Sequence, residues 1–427
     1  AEPNRSPLSA PAMKVSVNTM SGEVVAVLDA DAHCSRQELM AKLCHLNSPL
    51  DSRMQLLHGT TVISAGVSLA DVGVEDGSQL TLVRMPAPKL LTTSSDATAR
   101  LWNISSTLHT HTLEGHGSGI TFGVFAPGGE VVLTVSSGDG DSAVKIWDVS
   151  SGICLQTLET EGDPVGFAAF SRDGEIVVTG HESGSARLIS VVGFTMVIGV
   201  IQECLFTLQE HRDVVYSAAF SSDRSLVLTA SDDNIVKLWN TASGECIQTL
   251  WGQRVARGSE AFVSGSKLMV TCCDKVAKIW STAAKMCLRK LEGHRYEIVS
   301  AVASQTGAYI LTASVDTTAK LWKTESGECV HTLLGHVAPL RGAEFSSDCG
   351  MALTTAEDLT AKLWNLTSGD CMWTYSGAGG LPLSFSSDGE LAMLSSYGYG
   401  AHILSVASGT LLISLPHRGL MSTAFSP

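Results

Sequence analysis

The chain has 427 residues, of which 44% are hydrophobic and 16% charged, and its formal net charge is −14 at pH 7. This length permits more than one domain and a large core, and the composition is that of a folded chain rather than a disordered one. The acidic excess argues against a general nucleic-acid binder, which needs clustered Lys and Arg, and against attraction to anionic membranes.

The first part of the chain predicts a tail followed by a small α+β domain. Residues 1–12 are rich in Pro and Ser and predict a flexible tail. In residues 13–85, MKVSVNTMSGEVVAVLDA alternates apolar and polar residues around a Ser-Gly turn and predicts a β-hairpin. SRQELMAKLCHL places Leu39, Leu43 and Cys44 on one helical face, and RMQLLHGTTV and QLTLVRM predict two further strands.

This order of hairpin, helix and two strands resembles a ubiquitin-like β-grasp domain. The resemblance rests on the NTMSGE turn, the SLADVGVEDGSQLTLVR ending and Gly59 after the third strand. The Gly-Gly tail that ubiquitin uses for conjugation is absent, because the chain continues through residues 86–89, which predict a short stiff linker. The resemblance implies a built-in domain, either recognised by the ubiquitin system or acting as an adaptor outside it. The recognition patch of ubiquitin would fall on Met20, Gln55, Thr81 and Val83.

Residues 90–427 repeat one unit, which is clearest from Leu226 to Leu250. In it LVLTAS and IVKLWN predict two strands joined by a polar SDDN turn, and ECIQTL predicts a third. The Trp of this unit, Trp239, recurs at Trp280, Trp322 and Trp364. This period of roughly 40–45 residues is typical of a propeller blade with four strands.

Residues 88–427 therefore resemble a WD-repeat β-propeller. The family marks are Gly-His before a first strand, Asp six residues before the Trp, and Trp-Asp or Trp-Asn at the end of a third strand. The predicted fold is mainly β, with eight blades; because seven is the commoner number in the family, a truncated or distorted ring is the alternative. The second strands are expected to begin near Lys89, Val131, Glu175, Leu226, Lys267, Ala308, Met351 and Leu391. LMSTAFSP supplies the innermost strand missing from the first blade, so the C-terminal strand is expected to close the ring.

The resemblance also implies a buried network in each blade. It joins a His before the first strand, a Ser or Thr in the second strand, an Asp in the next turn and the Trp. Such a network stabilises a blade when every member has its partner. Three blades have a complete set by position: His417, Ser94, Asp96 and Trp102; His211, Ser231, Asp233 and Trp239; and His294, Ser314, Asp316 and Trp322. Because the set recurs, we expect it to be structural rather than a catalytic triad.

The other blades depart from this set. The second has an insertion around Asp141, the seventh has Ala356 in place of the hydroxyl, and the fifth has Trp280 without a His. The third and eighth lack both the Asp and the Trp. The third blade also carries an apolar insertion, Leu188 to Ile201, which is too short to span a bilayer. It is either a lengthened hairpin or a gene-model error, or an exposed patch that docks a partner.

Five cysteines lie at one equivalent position per blade, seven residues after the Trp: Cys154, Cys246, Cys287, Cys329 and Cys371. One cysteine in each blade is too far from the next to form a disulfide. We therefore expect buried free thiols that act as small hydrophobic side chains in a reducing compartment.

No phosphate-loop, zinc-protease, serine-hydrolase or kinase motif occurs in the sequence. We therefore expect a non-catalytic interaction scaffold without cofactor, metal, nucleic acid, membrane or small-molecule substrate, located in the cytoplasm or alternatively the nucleus. On the top face of the propeller, the expected contact residues are Ser95, Asp232, Val315 and Glu357. Two of these four are acidic, which favours a basic peptide as partner.

Two other functions stay open at this point. The first is a substrate receptor or shuttle of the ubiquitin–proteasome pathway, which would bind proteasome or ubiquitin-ligase components through the ubiquitin-like domain. The second is an enzyme with an unrecognised site in the central channel of the propeller. A cluster of carboxylates or a metal site in that channel would favour the enzyme.

Overall fold

A computed structural model of the chain describes residues 13–20, 23–30, 34, 39, 54–59, 61–63, 69–70, 72–84, 88–104, 108–138, 142–158, 160, 162–191, 203–254, 262–263, 267–377, 380–396 and 400–427. The chain divides into two compact units, Ala1–Ala87 and Pro88–Pro427, called unit 1 and unit 2. The predicted tail and the predicted helix lie outside the described residues, except for Leu39, which is buried. Within the described ranges, no helix has the length and apolar character needed to cross a membrane.

Unit 1 contains one five-stranded sheet. Its strands are β1 (Met13–Thr19), β2 (Val24–Ala30), β3 (Met54–His58), β4 (Thr61–Val62) and β5 (Gln79–Arg84). Their order is β2-β1-β5-β3-β4, with β1 and β5 parallel and the other pairs antiparallel. Alternate residues of β1 and β5, such as Val15, Val17 and Leu80, point to one side and form a buried core, as the two-residue period of a strand requires.

The described residues of unit 2 form eight antiparallel sheets of four strands each, numbered here along the chain. Sheet 1 begins with β6 (Lys89–Ser94), β7 (Ala99–Asn103) and β8 (Leu108–Leu113). Sheet 2 comprises β9 (Ile120–Phe125), β10 (Val131–Ser136), β11 (Ala143–Asp148) and β12 (Cys154–Leu158). Sheet 3 comprises β13 (Val165–Phe170), β14 (Ile176–His181), β15 (Ser185–Ser190) and β16 (Glu203–Gln209). Sheet 4 comprises β17 (Val215–Phe220), β18 (Leu226–Ser231), β19 (Ile235–Asn240) and β20 (Cys246–Trp251).

The remaining sheets follow the same plan. Sheet 5 comprises β21 (Phe262–Val263), β22 (Leu268–Cys273), β23 (Val276–Ser281) and β24 (Met286–Glu292). Sheet 6 comprises β25 (Ile298–Ala303), β26 (Tyr309–Ser314), β27 (Ala319–Lys323) and β28 (Cys329–Leu333). Sheet 7 comprises β29 (Leu340–Phe345), β30 (Met351–Ala356), β31 (Thr360–Asn365) and β32 (Cys371–Ser376). Sheet 8 comprises β33 (Gly380–Phe385), β34 (Leu391–Ser396), β35 (Gly400–Ser405) and β36 (Leu411–Leu415).

The last strand of the chain completes the first sheet. β37 (Leu420–Phe425) pairs antiparallel with β6, so sheet 1 has the order β37-β6-β7-β8. The predicted starts of the second strands agree with β6, β10, β14, β18, β22, β26, β30 and β34 to within one residue. This agreement follows from the Asp, Asn, Ser and Gly turns that separate the apolar runs.

Apolar side chains join each sheet to the next. Every pair of successive sheets shares a hydrophobic cluster, from sheets 1 and 2 to sheets 7 and 8. A further cluster packs Leu90 and Trp102 of sheet 1 against Met393 and Ile403 of sheet 8. The second and third strands are buried on both faces by this packing, which explains why they read as nearly continuous apolar runs.

Two sequence expectations need adjustment at their boundaries. Lys89, expected to end the linker, is the first residue of β6. Leu188 and Ile189, expected to open the apolar insertion, are buried residues of β15 because they pair with β14 and β16. Residues 192–201 of the insertion lie outside the described residues.

Candidate interaction surface

A buried hydroxyl lies at the centre of the repeating network, as sheet 4 shows. The indole Nε1 of Trp239 donates to Thr229 Oγ1 at 2.8 Å, and His211 Nε2 lies 2.8 Å from the same oxygen. His211 Nδ1 lies 3.1 Å from the Asp233 carboxylate, which also accepts the backbone N–H of Arg212 at 3.0 Å. An ionised carboxylate only accepts, so Nδ1 carries the proton and Nε2 accepts the Thr229 hydroxyl. Every polar atom of the set therefore has a partner.

The same threonine-centred contact recurs in sheets 1, 2, 6 and 7. In each, the Trp Nε1 donates to the Thr Oγ1 at 2.8 Å, and a His ring nitrogen lies 2.7–2.9 Å from that oxygen. The threonines are Thr92, Thr134, Thr312 and Thr354, all fully buried.

The hydroxyl in the network differs from the one expected from the sequence. Ser231 does not join the His to the Trp; its Oγ donates to the backbone oxygen of Asp213 at 2.7 Å and accepts the backbone N–H of Asp233 at 3.2 Å. Ser94 and Ser314 make the equivalent contacts in sheets 1 and 6. The network threonine lies two residues before this serine position. In sheet 7 it is Thr354, so Ala356 leaves the network of that sheet intact. The sequence does contain a signal for the network hydroxyl, because seven of the eight predicted second strands have a Thr at this position.

The incomplete sheets replace the His in different ways. In sheet 5, Gln253 takes the place of the His, and its Oε1 accepts the hydroxyl of Thr271 at 3.1 Å, while Trp280 still donates to Thr271 at 2.8 Å. In sheet 3, His181 lies within β14 itself and contacts Thr179 at 2.8 Å. Asp141 of sheet 2 lies outside the described residues.

Burial controls the protonation of the network. It lowers the pKa of His211, His294 and His336 below the ordinary value, although a neighbouring carboxylate opposes the shift, and it lowers the pKa of His417 to about 4. Burial alone would raise the pKa of Asp316, but hydrogen bonds from Thr318, the Arg295 amide and His294 outweigh it and lower that pKa. At neutral pH the sets of sheets 1, 4, 6 and 7 are therefore each a neutral imidazole beside a carboxylate.

This protonation state invites comparison with a catalytic triad, but the geometry argues for a structural role. The threonine oxygen already accepts the indole N–H and is fully buried, so a substrate cannot reach it. In the part of the chain that the structure describes, no group of three or more His, Cys, Asp or Glu side chains could hold a metal ion.

The four positions expected to contact a partner share one edge of unit 2. We call the His edge of a sheet the end formed by the turn between its second and third strands and by the segment that carries the network His. Ser95, Asp232 and Glu357 are exposed at this edge, and Val315 is half-buried. Each donates its backbone N–H at 2.9–3.0 Å to a carbonyl in the segment before the first strand of its own sheet. The four residues therefore occupy equivalent positions in sheets 1, 4, 6 and 7.

Exposed apolar side chains also lie at the His edge of sheets 6 and 7, and sequence reasoning missed them. Tyr296 is 64% exposed, Val337 86% and Leu359 49%. Each occupies a turn or connecting segment, where the strand periodicity used to find buried residues gives no signal.

The patch expected on unit 1 is only partly visible. Met20 is 78% exposed, and Thr81 and Val83 are half-buried on the side of β5 opposite Leu80 and the core. Gln55 pairs with Val83 across the sheet, but its side chain lies outside the described residues.

The expectation of buried repeat cysteines is wrong. Cys154, Cys329 and Cys371 are exposed, and Cys246 and Cys287 are half-buried. The cause is their place on the fourth strand, which has no further strand beside it. All five are free thiols, as expected.

Comparison with known families agrees with this architecture. The WD domain, G-beta repeat family matches five segments of the chain: residues 108–148, 152–190, 202–240, 285–323 and 327–365. The chain thus carries WD40 repeats between residues 108 and 365, and they support a WD-repeat propeller with a protein-binding role. No curated protein matches the chain.

Proposed function

We propose that this chain is a non-catalytic protein-interaction scaffold whose unit 2 is a closed WD propeller of eight blades. The pairing of β37 with β6 and the shared cluster of sheets 8 and 1 support closure. A closed ring has no unpaired inner edge and holds its turns rigidly, as a binding platform requires.

The observation that carries this proposal is the repetition of exposed positions at the His edge above buried networks. Around sheets 3 and 4 the exposed residues of this edge include Glu182, Asp213 and Asp232, with Arg212 as the nearby cation. This acidic excess favours a basic segment of a partner protein. The exposed apolar residues of sheets 6 and 7 would add buried contact area.

The test is affinity capture from native lysate with the full chain carrying Asp232→Lys and Glu357→Lys. The matched control carries Glu325→Lys and Asp370→Lys, two exposed acids on turns at the opposite edge with the same total charge change. We expect the first variant to lose partners that the wild type and the control retain. Identical partners for all three proteins would contradict binding at the His edge.

A second function is favoured by the topology of unit 1. The order β2-β1-β5-β3-β4 with parallel β1 and β5 supports a ubiquitin-like β-grasp domain, and the exposure of Met20 supports a contact there. This chain would then be a substrate receptor or shuttle of the ubiquitin–proteasome pathway. Captured proteasome or ligase subunits that disappear with Met20→Asp would support this function, and their absence from wild-type captures would exclude it.

A further inference from the structure

A cleft opens at the His edge between sheets 5 and 6. Its volume is about 430 Å³, and it is lined by the turn after β22, by β23 and β24, and by the segment before β25. Four of its lining residues are cationic: Lys275, Lys278, Lys290 and Arg295. In a chain whose net charge is −14, these four cations outnumber the three carboxylates that line the same cleft, Asp274, Glu292 and Glu297.

The strand register of sheet 5 places two of these cations directly opposite each other. Lys278 on β23 pairs with Lys290 on β24. Like charges in opposite positions on neighbouring strands destabilise a sheet. This arrangement therefore has a cost that the sheet itself does not explain.

The other sheets show what this position normally contains. In sheets 2, 4, 6 and 7 the residue equivalent to Lys278 is also a Lys, but its Nζ donates to a Thr on the fourth strand at 2.8–3.1 Å. Sheets 1 and 3 have an Arg opposite a Thr at this position. Among sheets 1 to 7, sheet 5 alone has a second cation in place of the Thr.

The cations of the cleft have no carboxylate partner within the described residues. No described Asp or Glu forms an ion pair with Lys275, Lys278, Lys290 or Arg295, whereas Glu297, which also lines the cleft, pairs with Arg254 at 3.6 Å. Lys278 is half-buried and lies over the Trp280 ring, with 5.9 Å between Nζ and the ring centroid. A partly desolvated cation of this kind gains more from an incoming anion than a fully hydrated one.

We propose that this cleft binds a short acidic segment of a partner protein. Its carboxylates would lie between Lys278, Lys290 and Arg295, and an apolar side chain of the segment would pack on the exposed ring of Tyr296. This proposal rests on the scaffold function and adds a second contact, opposite in charge to the acidic edge of sheets 3 and 4. Asp274, Glu292 and Glu297 also line the cleft and limit its positive region to a short segment. A nucleic acid or an anionic membrane carries its charge well beyond this short region, over the acidic surface of the chain, and is disfavoured as the occupant.

The test uses a fluorescein-labelled peptide of the sequence DDELDDE and the full chain, with binding followed by fluorescence anisotropy. Lys290→Thr restores the Lys–Thr pair of the other sheets, so it should fold, and we expect it to weaken binding about threefold to fivefold. Lys362→Thr in sheet 7 makes the same charge change away from the cleft and should leave the affinity unchanged. The wild-type affinity should fall as salt rises.

Three results would overturn the proposal: no binding of the peptide up to about 1 mM, equal affinity for wild type and Lys290→Thr, or tighter binding of single-stranded DNA or phosphatidylserine vesicles than of the peptide. The lysate capture with the Asp232→Lys and Glu357→Lys variant tests binding at a different part of the His edge. Peptide failure with successful capture rejects the cleft alone, whereas failure of both rejects the scaffold function.

Discussion

Sheets 5 and 6 are neighbours that use the same sequence positions differently. In sheet 6, His294 joins Thr312 to Asp316, and the Asp316 carboxylate also accepts the Arg295 amide at 2.8 Å. In sheet 5, Gln253 replaces the His, accepts the Thr hydroxyl and donates to the backbone oxygens of Trp251 and Gly252 instead of to the turn Asp. Among the described residues, the first strand pairs over two residues.

The difference shows which part of the network a sheet needs. The contact between Thr and Trp is present in both sheets, so it is the shared structural element. Of these two sheets, sheet 6 alone has the link from the His to the Asp of the turn. Without that link, Asp274 and Lys275 of the sheet 5 turn become lining residues of the cleft. Loss of one structural contact thus coincides with the appearance of a charged surface.

The largest expected effect is on the Thr at the centre of the sheet 6 network. Thr312→Val leaves the indole N–H of Trp322 and the Nε2 of His294 buried without partners, and should lower the free energy of unfolding by about 2–4 kcal/mol. The equivalent change in sheet 5, Thr271→Val, should cost about 1–2 kcal/mol, because Trp280 is only half-buried. Urea unfolding of the full chain measures both.

Thr355→Val is the matched control for these variants. Its Oγ1 is buried and has no hydrogen-bond partner among the described residues, so the substitution should be neutral or slightly stabilising. Equal losses for Thr312→Val and Thr271→Val would contradict the distinction between the two sheets.

The second prediction concerns the stability of the chain at acid pH, which should fall when the network His residues are protonated. The folded pKa of His417 is about 4, below the unfolded value of 6.5, so the unfolded chain binds more protons between these pH values. The stabilising contribution is therefore complete above pH 6.5 and is lost as the pH falls towards 4. The urea midpoint of the wild type should fall across this window.

His417→Gln imitates the natural arrangement of sheet 5. The variant should be less stable than the wild type at pH 7.5, because the replaced His fills a buried site. Its urea midpoint should nevertheless change less between pH 6.5 and 4, since Gln does not titrate. Parallel pH profiles for the two proteins would show that His417 does not contribute to the acid sensitivity.

The smallest expected effect is a gain in stability. Lys290→Thr removes the like-charge pair with Lys278 and provides a hydroxyl for its Nζ, so it should stabilise the chain by about 0.2–1 kcal/mol. The gain should shrink in 1 M salt, which screens the repulsion. A loss of stability would mean that the two cations do not repel each other in the native state.

The sequence predicted the sheets well because turn residues and the Trp period mark each one independently. The pairing of β37 with β6 was also foreseen, from the likeness of LMSTAFSP to other first strands. The network hydroxyl was misassigned because Thr229 and Ser231 lie two residues apart and point to the same face of β18. Strand alternation alone cannot choose between them.

The cleft could not be predicted from the sequence for a different reason. It depends on Lys278 pairing with Lys290 one residue before a β-bulge between Ile279 and Trp280, and a one-residue shift in register would separate these side chains. The exposure of the repeat cysteines follows from their place on the outermost strand of each sheet, whereas the usual burial of free Cys predicts the opposite.

The completion of sheet 1 has a consequence for how the protein is made. Lys89 donates its backbone N–H to Ser426 Oγ, and 337 residues separate the two. At bacterial or eukaryotic synthesis rates, a ribosome needs on the order of half a minute to extend the chain over that distance. Throughout that time β6 lacks its neighbour β37 and presents an open strand edge, which is a template for pairing with the wrong chain. The first sheet of unit 2 to be synthesised is therefore the last to be finished.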